Sequence, residues 1–423
     1  MTSVSLFSFS VLHAQEAAGV APAVDVVTAT DGASQPQAGP PTTPDEAQAL
    51  DQSIYGEGQA LTDAPAESTA PQRPWKLNLH ASAGSRYDDN VFISSTGRQA
   101  DMVTRLSAGG GIALGDYSAR QGNYFISDYT GIGELFGRHT NQDAYEQAAS
   151  LASQARFAHL TLRGDFQFQD LADEDIELGA RARRQIYTGN FSARYDISDK
   201  TYLEATAQVT AANYDLYLDS NDERAGLSFN YLPDPSLTLG LGLMGGVLNV
   251  EDSASQTYGQ LLGSLRFAAT GKLTIKASGG VEDRQFTGGG SLVTPVFDLT
   301  ADYNPFDGLD LHLTGFRHVL NSAYYTGYDY IATGVSAGLK YQLSPRFTVL
   351  LDGGWQESGY RDVATGARIA RTDDYFFARP ALRYTASPGC GVELYYFYRD
   401  NQSTLDTSSF DDTQVGVTVD LTY

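Results

Sequence analysis

The chain ends in Val415-Gly416-Val417-Thr418-Val419-Asp420-Leu421-Thr422-Tyr423, where apolar residues alternate with small or polar ones up to a terminal aromatic residue. Strict alternation is typical of a β-strand with one apolar and one polar face. An aromatic residue followed by a turn signal recurs along the chain at intervals of 38, 36, 36, 36, 38, 43 and 39 residues. A repeat of this length that holds two alternating runs predicts an array of β-hairpins. The series consists of Phe157, Tyr195, Tyr231, Phe267, Tyr303, Tyr341, Tyr384 and Tyr423.

Alternation is almost continuous over residues 75–423, and it predicts an all-β unit of about 18 strands, with 16 as the alternative count. The connections are short turns, such as Ser344-Pro345, in alternation with longer polar stretches, such as residues 171–184 and 361–373. Short turns at one end and long loops at the other are typical of a transmembrane antiparallel up-and-down β-barrel. Such a sheet must close, because an open edge in lipid would leave backbone groups unpaired.

The two faces of the predicted strands differ in polarity. Residues 160–168 place Leu160, Leu162 and Phe166 on one face, while Thr161 and Gln167 lie on the other. A barrel of 18 strands encloses a lumen too wide for side chains to fill, so we expect the apolar face to contact lipid and the polar face to line water. The recurring aromatic residues would then form a girdle at one membrane interface, beside the short turns.

The residue before most of these aromatics faces the opposite way, into the predicted lumen, and it is often basic. These positions predict a basic ring near the short-turn mouth, opposite acidic loop residues such as Asp173, Glu174, Asp175 and Glu177. A charge gradient of this kind favours anionic solutes at the basic end. The alternative is that the charges only solvate the lumen wall or pair with neighbouring carboxylates. The predicted ring consists of Arg156, Arg194, Arg266, Lys340 and Arg383.

The first 74 residues differ in composition from the rest of the chain. Residues 1–14 are apolar enough to be the remnant of a truncated signal peptide. Residues 15–74 are rich in proline and alanine, and from 15 to 72 they contain nine acidic residues and no lysine or arginine. Low hydrophobicity with charge of one sign predicts a disordered acidic segment, here a periplasmic linker.

Two short motifs that resemble catalytic or cofactor sites lie inside predicted strands. Residues 334–338 match G-x-S-x-G and residues 240–245 match G-x-G-x-x-G, but neither is followed by the helix that these motifs require. His312 and His318 are too far apart on one strand to bind one metal ion. We therefore expect no enzyme activity, cofactor or metal site, and the net charge of −23 argues against nucleic acid as a partner.

The segment Ser85-Arg86-Tyr87-Asp88-Asp89-Asn90-Val91-Phe92 and units such as residues 340–345 resemble the β-barrel porin-2 family of bacterial outer membranes. The resemblance covers about residues 75–423. It implies a porin-like channel in the cell outer membrane, with both termini in the periplasm. The terminal Tyr423 resembles the signal that the barrel-assembly machinery reads, and the partners implied are that machinery, outer-membrane lipid and lipopolysaccharide.

The first predicted function is passage of hydrophilic solutes through the barrel. An exit duct for exopolysaccharide or capsule is the alternative, because sugars stack on aromatic rings and the chain contains 26 tyrosines. A non-conducting structural or adhesive surface barrel is the second alternative. The oligomeric state and the solute stay open at this point. The candidate residues for carbohydrate stacking are Tyr324, Tyr325, Tyr375 and Tyr395.

Overall fold

The computed structural model describes residues 74–118, 120, 122–269, 271–287 and 289–423. The predicted signal remnant and almost all of the predicted acidic linker lie outside the described residues. The described chain forms 18 strands in sequence. They are β1 (Trp75–Asp88), β2 (Asp101–Gly115), β3 (Tyr124–Phe136), β4 (Ala144–Arg156), β5 (Leu160–Asp175), β6 (Ala180–Ser198), β7 (Thr201–Tyr214), β8 (Ser220–Asp234), β9 (Leu237–Val250), β10 (Gln256–Ala268), β11 (Leu273–Phe286), β12 (Ser291–Phe306), β13 (Leu309–Asn321), β14 (Tyr328–Ser344), β15 (Phe347–Asp362), β16 (Arg368–Ser387), β17 (Cys390–Ser403) and β18 (Phe410–Thr422).

Each strand pairs antiparallel with its neighbours in sequence, and β1 pairs with β18 to close the ring. The closing register runs from His80 opposite Thr422 to Asp88 opposite Gln414. The predicted closed up-and-down β-barrel is therefore confirmed, with the count of 18 rather than 16. Within the described residues, no helix is both long enough and apolar enough to traverse a bilayer.

The two ends of the barrel differ, and we call them the turn end and the loop end. Most connections at the turn end are tight, and five of them, such as Asp307 with Gly308, contain two residues. Gly308 and Gly389 have φ of +87° and +88°, which glycine adopts without steric cost. A Cβ added at Gly389 would lie 2.4 Å from the carbonyl oxygen of Thr422, so this turn also requires glycine for space.

The outer wall is apolar and the inner wall is polar, as the alternation predicts. On β9, Leu241 and Leu243 point outward and are 61% and 66% exposed. Inward-facing polar residues such as Gln256 and Thr314 are fully buried. An exposed apolar exterior over a polar interior is the reverse of a water-soluble barrel and is the arrangement of a transmembrane barrel.

Two hairpins extend beyond the strands beside them at the loop end. Pairing between β4 and β5 stops at Gln147 opposite Asp170, but β5 continues to Asp175 and pairs only with β6. Pairing between β12 and β13 stops at Phe297 opposite Arg317, although β13 continues to Asn321. We call residues 171–183 the β5–β6 tip and residues 319–330 the β13–β14 tip. The sequence-based expectation of a polar loop over residues 171–184 is wrong, because most of this stretch is strand.

Candidate functional site: the lumen and its two inward hairpins

The two tips start almost opposite each other, eight strands apart in a ring of 18, and they meet inside the lumen. The Glu177 carboxylate accepts hydrogen bonds from Ser322 Oγ at 2.5 Å and from the backbone N–H of Ala323 at 2.9 Å. The backbone N–H of Leu218, in the β7–β8 connection, donates to the carbonyl oxygen of Ala323 at 2.9 Å. Segments from three parts of the wall therefore contact one another across the loop end of the lumen.

The β13–β14 tip bends inward so far that its outer face is covered. Val319 and Ile331 alternate with lumen-facing residues, yet they are only 7% and 5% exposed. They pack against Phe286 and Leu292 of the β11–β12 hairpin and against Val363 of the β15–β16 connection. The β11–β12 hairpin thus closes over the tip from outside, where the pairing of β12 with β13 has already stopped.

Buried ion pairs hold the β5–β6 tip against β3 nearby and against β17 across the lumen. Arg181 on the tip pairs with Glu174 and, at 3.2 Å, with Glu134 of β3. Arg399 of β17 lies 3.5 Å from Glu174 across the lumen and 2.8 Å from Asp412 of β18. Arg399 and Asp412 are both fully buried. Removal of one partner from such a network is strongly unfavourable, because it leaves an unpaired charge out of contact with water.

The β13–β14 tip has polar contacts of its own with strands β8, β10 and β11 of the wall. Asp329 accepts a hydrogen bond from Gln256 Nε2 at 2.9 Å and lies 3.5 Å from Arg284. Asn321 Nδ2 donates to Ser220 Oγ at 3.0 Å, which links β13 to β8. Beneath these contacts is a small cavity with both acidic and basic walls, lined by Asp222, Arg224, Tyr258, Gln260, Glu282, Arg284, His318 and Asn321 among others.

Glu177 has an unusual protonation equilibrium for a carboxylic acid. Burial and the nearby charge of Asp175 raise its pKa to about 7, against the lowering effects of its two hydrogen bonds and of Arg371. Arg371 of β16 donates from Nη2 to the backbone oxygen of Glu177 at 2.8 Å and pairs with Asp373 at 2.6 Å. The contact between the two tips therefore includes a group that titrates near neutral pH.

The residues of the predicted basic ring lie toward the turn end, and Arg194 and Arg383 have carboxylate partners. Arg194 Nε lies 2.7 Å from Asp196, and its guanidinium stacks 3.8 Å from the ring centre of Tyr202. Arg383 lies 2.8 Å from Asp420. Arg156 is exposed, whereas Arg266 and Lys340 are partly buried. Part of the positive charge of the ring is thus compensated locally.

The predicted stacking tyrosines divide into two groups. Tyr375 and Tyr395 are 3% and 5% exposed and pack inside the lumen with Phe377 and Phe397. The rings of these two tyrosines are covered in this conformation. Tyr324 is 51% exposed on the β13–β14 tip, and its ring meets that of Tyr325 edge to face at 4.5 Å.

The recurring aromatic residues lie beside the connections of the turn end, and the chain terminus lies there as well. Seven of the eight are exposed on the outside, from 36% for Phe267 to 90% for Tyr423, and Tyr384 is partly buried against Phe347. The segment Ser85–Phe92 overlaps the end of the first strand, since β1 continues to Asp88.

The arginines that form ion pairs with the β5–β6 tip were not identified from the sequence. Arg181 lies inside a stretch interpreted as an acidic loop, and Arg399 lies on an alternating strand with no local signal of a distant partner. An available signal was that Arg399 and Asp412 occupy lumen-facing positions of their strands. Among the described residues, no group of three or more histidine, cysteine or acidic side chains is arranged to hold a metal ion.

No protein-family model matches the chain, and no curated protein matches its sequence. The resemblance to the β-barrel porin-2 family therefore stays a prediction. Among solved structures, the fold is similar to the outer membrane protein opdK from Pseudomonas aeruginosa, at 12% identity and TM-score 0.42 over 82% of this chain and 99% of that one. It is also similar to OccAB3 from Acinetobacter baumannii, at 11% identity and TM-score 0.44 over 82% and 99% of the two chains. OprD from Pseudomonas aeruginosa matches at 11% identity and TM-score 0.41 over 82% and 95%.

Proposed function

We propose that this protein is a porin-like channel of the cell outer membrane that passes small hydrophilic solutes. The observation that supports this most directly is the inverted polarity of the barrel, with exposed apolar residues outside and charged and polar residues inside. A lumen lined by charge is suited to hydrated solutes rather than to lipid. The short turns and the shared position of the described termini favour an orientation with the turn end in the periplasm.

The cross-lumen contacts favour a narrow channel over a wide one. Glu177 with Ser322, and Glu174 with Arg399, join opposite walls directly. A solute must pass beside these contacts or displace them, so the proposed cargo is a small molecule. The same contacts oppose the alternative of an exopolysaccharide duct in this conformation, since a polymer chain would need the tips to move apart.

The experiment is conductance of the purified full chain in a planar bilayer, in the presence and absence of neutral oligosaccharide. For a narrow solute channel we expect small, stable steps of conductance that the oligosaccharide does not block. Block by micromolar oligosaccharide would instead favour the carbohydrate duct, in which the exposed Tyr324 and its half-buried neighbour Tyr325 would be the contact residues. If the protein conducts no current although its circular dichroism spectrum shows folded β structure, the channel proposal is overturned and a non-conducting surface barrel is favoured.

The basic ring is proposed to set the charge preference of the channel at the turn end. The triple variant Arg194→Glu, Arg266→Glu, Arg383→Glu should move the reversal potential in a salt gradient toward cation preference, because field lines concentrate in a narrow lumen. The matched control replaces the same three residues with lysine and should preserve the wild-type preference. An unchanged reversal potential in the glutamate variant would show that the ring only solvates the wall.

We also propose that the C-terminal strand is the segment that the barrel-assembly machinery recognises. Tyr423 is 90% exposed, and its backbone N–H donates to the carbonyl oxygen of Leu79 at 2.8 Å. Tyr423→Phe should preserve assembly, and Tyr423→Asp should slow it. The readout is the fraction of heat-modifiable folded protein in outer membranes after pulse labelling, and equal fractions would contradict the proposal.

A further inference from the structure

Three arginines lie together on the outer face of the barrel at the loop end. Arg317 of β13 is opposite Thr333 of β14, and Thr333 is in turn opposite Glu357 of β15. Arg361, four residues beyond Glu357 on the same strand and face, pairs in register with Arg368 of β16. We call Arg317, Arg361 and Arg368 the arginine patch. It lies where β12 and β13 separate, since Phe297 opposite Arg317 is the last pair of those strands.

The height of the patch on the wall is fixed by its aromatic neighbours. Trp355 and Phe376 are cross-strand partners on the outer face, 42% and 44% exposed, and Phe297 is 38% exposed. Exposed aromatic rings of this kind mark the boundary between hydrocarbon and headgroups. Glu357 is two residues and Arg361 six residues beyond Trp355 toward the loop end. The arginine patch is therefore at the level of the lipid headgroups.

The three guanidinium groups have few partners within the protein. Arg317 Nη1 donates to Thr333 Oγ1 at 2.6 Å, and Arg361 Nη1 donates to the carbonyl oxygen of Gly366 at 3.3 Å. Both partners are neutral, and the Nε atoms of Arg317 and Arg361 are buried without a hydrogen-bond partner. Among the described residues, neither of these two arginines forms an ion pair. Arg368 lies 3.9 Å from Glu357, and both of those side chains are about half exposed.

The charges in the patch also repel one another. Arg361 experiences unfavourable electrostatic interactions with both Arg368 and Arg317. A guanidinium fork is suited to phosphate, which accepts two parallel charge-assisted hydrogen bonds. A bound phosphate dianion would offset the repulsion and accept hydrogen bonds from the accessible Nη groups of the patch.

We propose that the arginine patch binds the phosphate group of a phosphorylated lipid in the leaflet that surrounds the loop end. The occupant is a lipid rather than a free anion, because the arginines lie on the outer wall, directly beyond the rings that contact hydrocarbon. This site is separate from the lumen, so it stands whether or not the barrel conducts. Glu357, which lies 3.9 Å from Arg368, and its cross-strand partner Asp374 would weaken the binding, since both are negatively charged.

The test uses the purified full chain and native mass spectrometry with a bis-phosphorylated lipid A-type glycolipid, its dephosphorylated form and inorganic phosphate. A basic residue near an anionic lipid surface contributes roughly 5-fold in affinity. Arg317→Gln should therefore weaken adducts of the phosphorylated lipid about 5-fold, the triple glutamine variant about 100-fold, and Glu357→Gln should strengthen them. Arg98→Gln is the matched control, since Arg98 is also at the loop end and 42% exposed but pairs with Asp411.

Three outcomes would overturn the proposal. The first is a triple variant that binds within 2-fold of wild type, and the second is an equal loss in Arg98→Gln. The third is equal binding of the dephosphorylated lipid, or full competition by millimolar inorganic phosphate, which would assign the patch to lipid packing or to a free anion. If the triple variant fails to show heat-modifiable folding, the single variant Arg361→Gln and the gain expected for Glu357→Gln decide the question.

Discussion

Glu177 is the point at which the two inward tips can be separated with the smallest change in sequence. Its carboxylate accepts from Ser322 Oγ and from the Ala323 N–H, at 2.5 and 2.9 Å. Because the closed contact favours the neutral acid, each of these hydrogen bonds contributes about 0.5–1.5 kcal/mol. Glu177→Ala should therefore destabilise the closed contact by about 1–3 kcal/mol, which corresponds to a factor of about 5 to 150 in the ratio of open to closed tips.

The same contact should respond to pH. The pKa of Glu177 in the closed state is about 7, above its ordinary value of 4.5, because burial and Asp175 disfavour the charged form. For a raised pKa, the stabilisation is fully present below pH 4.5 and is lost as pH rises through 7. A shift of this size corresponds to at most about 3 kcal/mol. We expect the open fraction to increase between about pH 5 and 8.

Other titratable groups that face Glu177 come from β15 and β16. They are Tyr360, Arg371 and Asp373, and Arg371 is held by Asp373 at 2.6 Å. Arginine stays positively charged and tyrosine stays neutral between pH 5 and 8. Glu177 is accordingly the group expected to set the pH dependence in this range.

The assay is single-channel conductance of wild type, Glu177→Ala and Glu177→Gln between pH 5 and 8. Glu177→Gln keeps the shape of the protonated acid, so its closed dwell times should be long and independent of pH. Glu223→Gln changes an exposed carboxylate on β8 and should behave as wild type. A wild-type open fraction that decreases with pH, or a pH dependence that survives in Glu177→Gln, would refute the reasoning.

Two further changes test the stability of the barrel. Arg399→Ala should lower the free energy of unfolding by about 3–5 kcal/mol, because Asp412 would then be buried without its counter-charge and Glu174 would keep only Arg181. The measurement is urea unfolding in detergent, and a loss below 1 kcal/mol would show that water replaces the guanidinium. Leu243→Arg, at a position that is 66% exposed on the outer face, should cost about 2–4 kcal/mol when the barrel folds into lipid vesicles. Leu216→Arg, in a connection where the side chain is 88% exposed, is the control and should change the stability by less than about 0.5 kcal/mol.

The barrel itself could be predicted because its signals are local. Alternation with period two defines each strand, and a short turn such as Ser344-Pro345 marks where the strand ends. Both signals lie in neighbouring residues of the sequence. The outward position of Phe157, Tyr195 and similar residues follows from the same alternation. No contact between distant parts of the chain is needed for any of these inferences.

The inward tips could not be predicted, because their cause lies in distant residues. Asp173 and Glu174 appear in sequence as part of an acidic loop, and only the fold brings Arg181, Arg184 and Arg399 against them. Arg317 could not be placed either, since a charged residue on an apolar face conflicts with the local pattern. The structure places it on the outer wall opposite the exposed Phe297, where the headgroup contact that we propose would remove the conflict.

The pairing of β1 with β18 has a consequence for the order in which the barrel forms. Among the described strands, every other pairing joins segments that are consecutive in sequence, so each closes only a short loop. The β1–β18 register instead joins His80 to Thr422. The chain between these residues must already have formed its hairpins before the two ends can meet. Because long loops are slower to close, this seam is expected to be the last step of folding and the place where an unfinished barrel stays open.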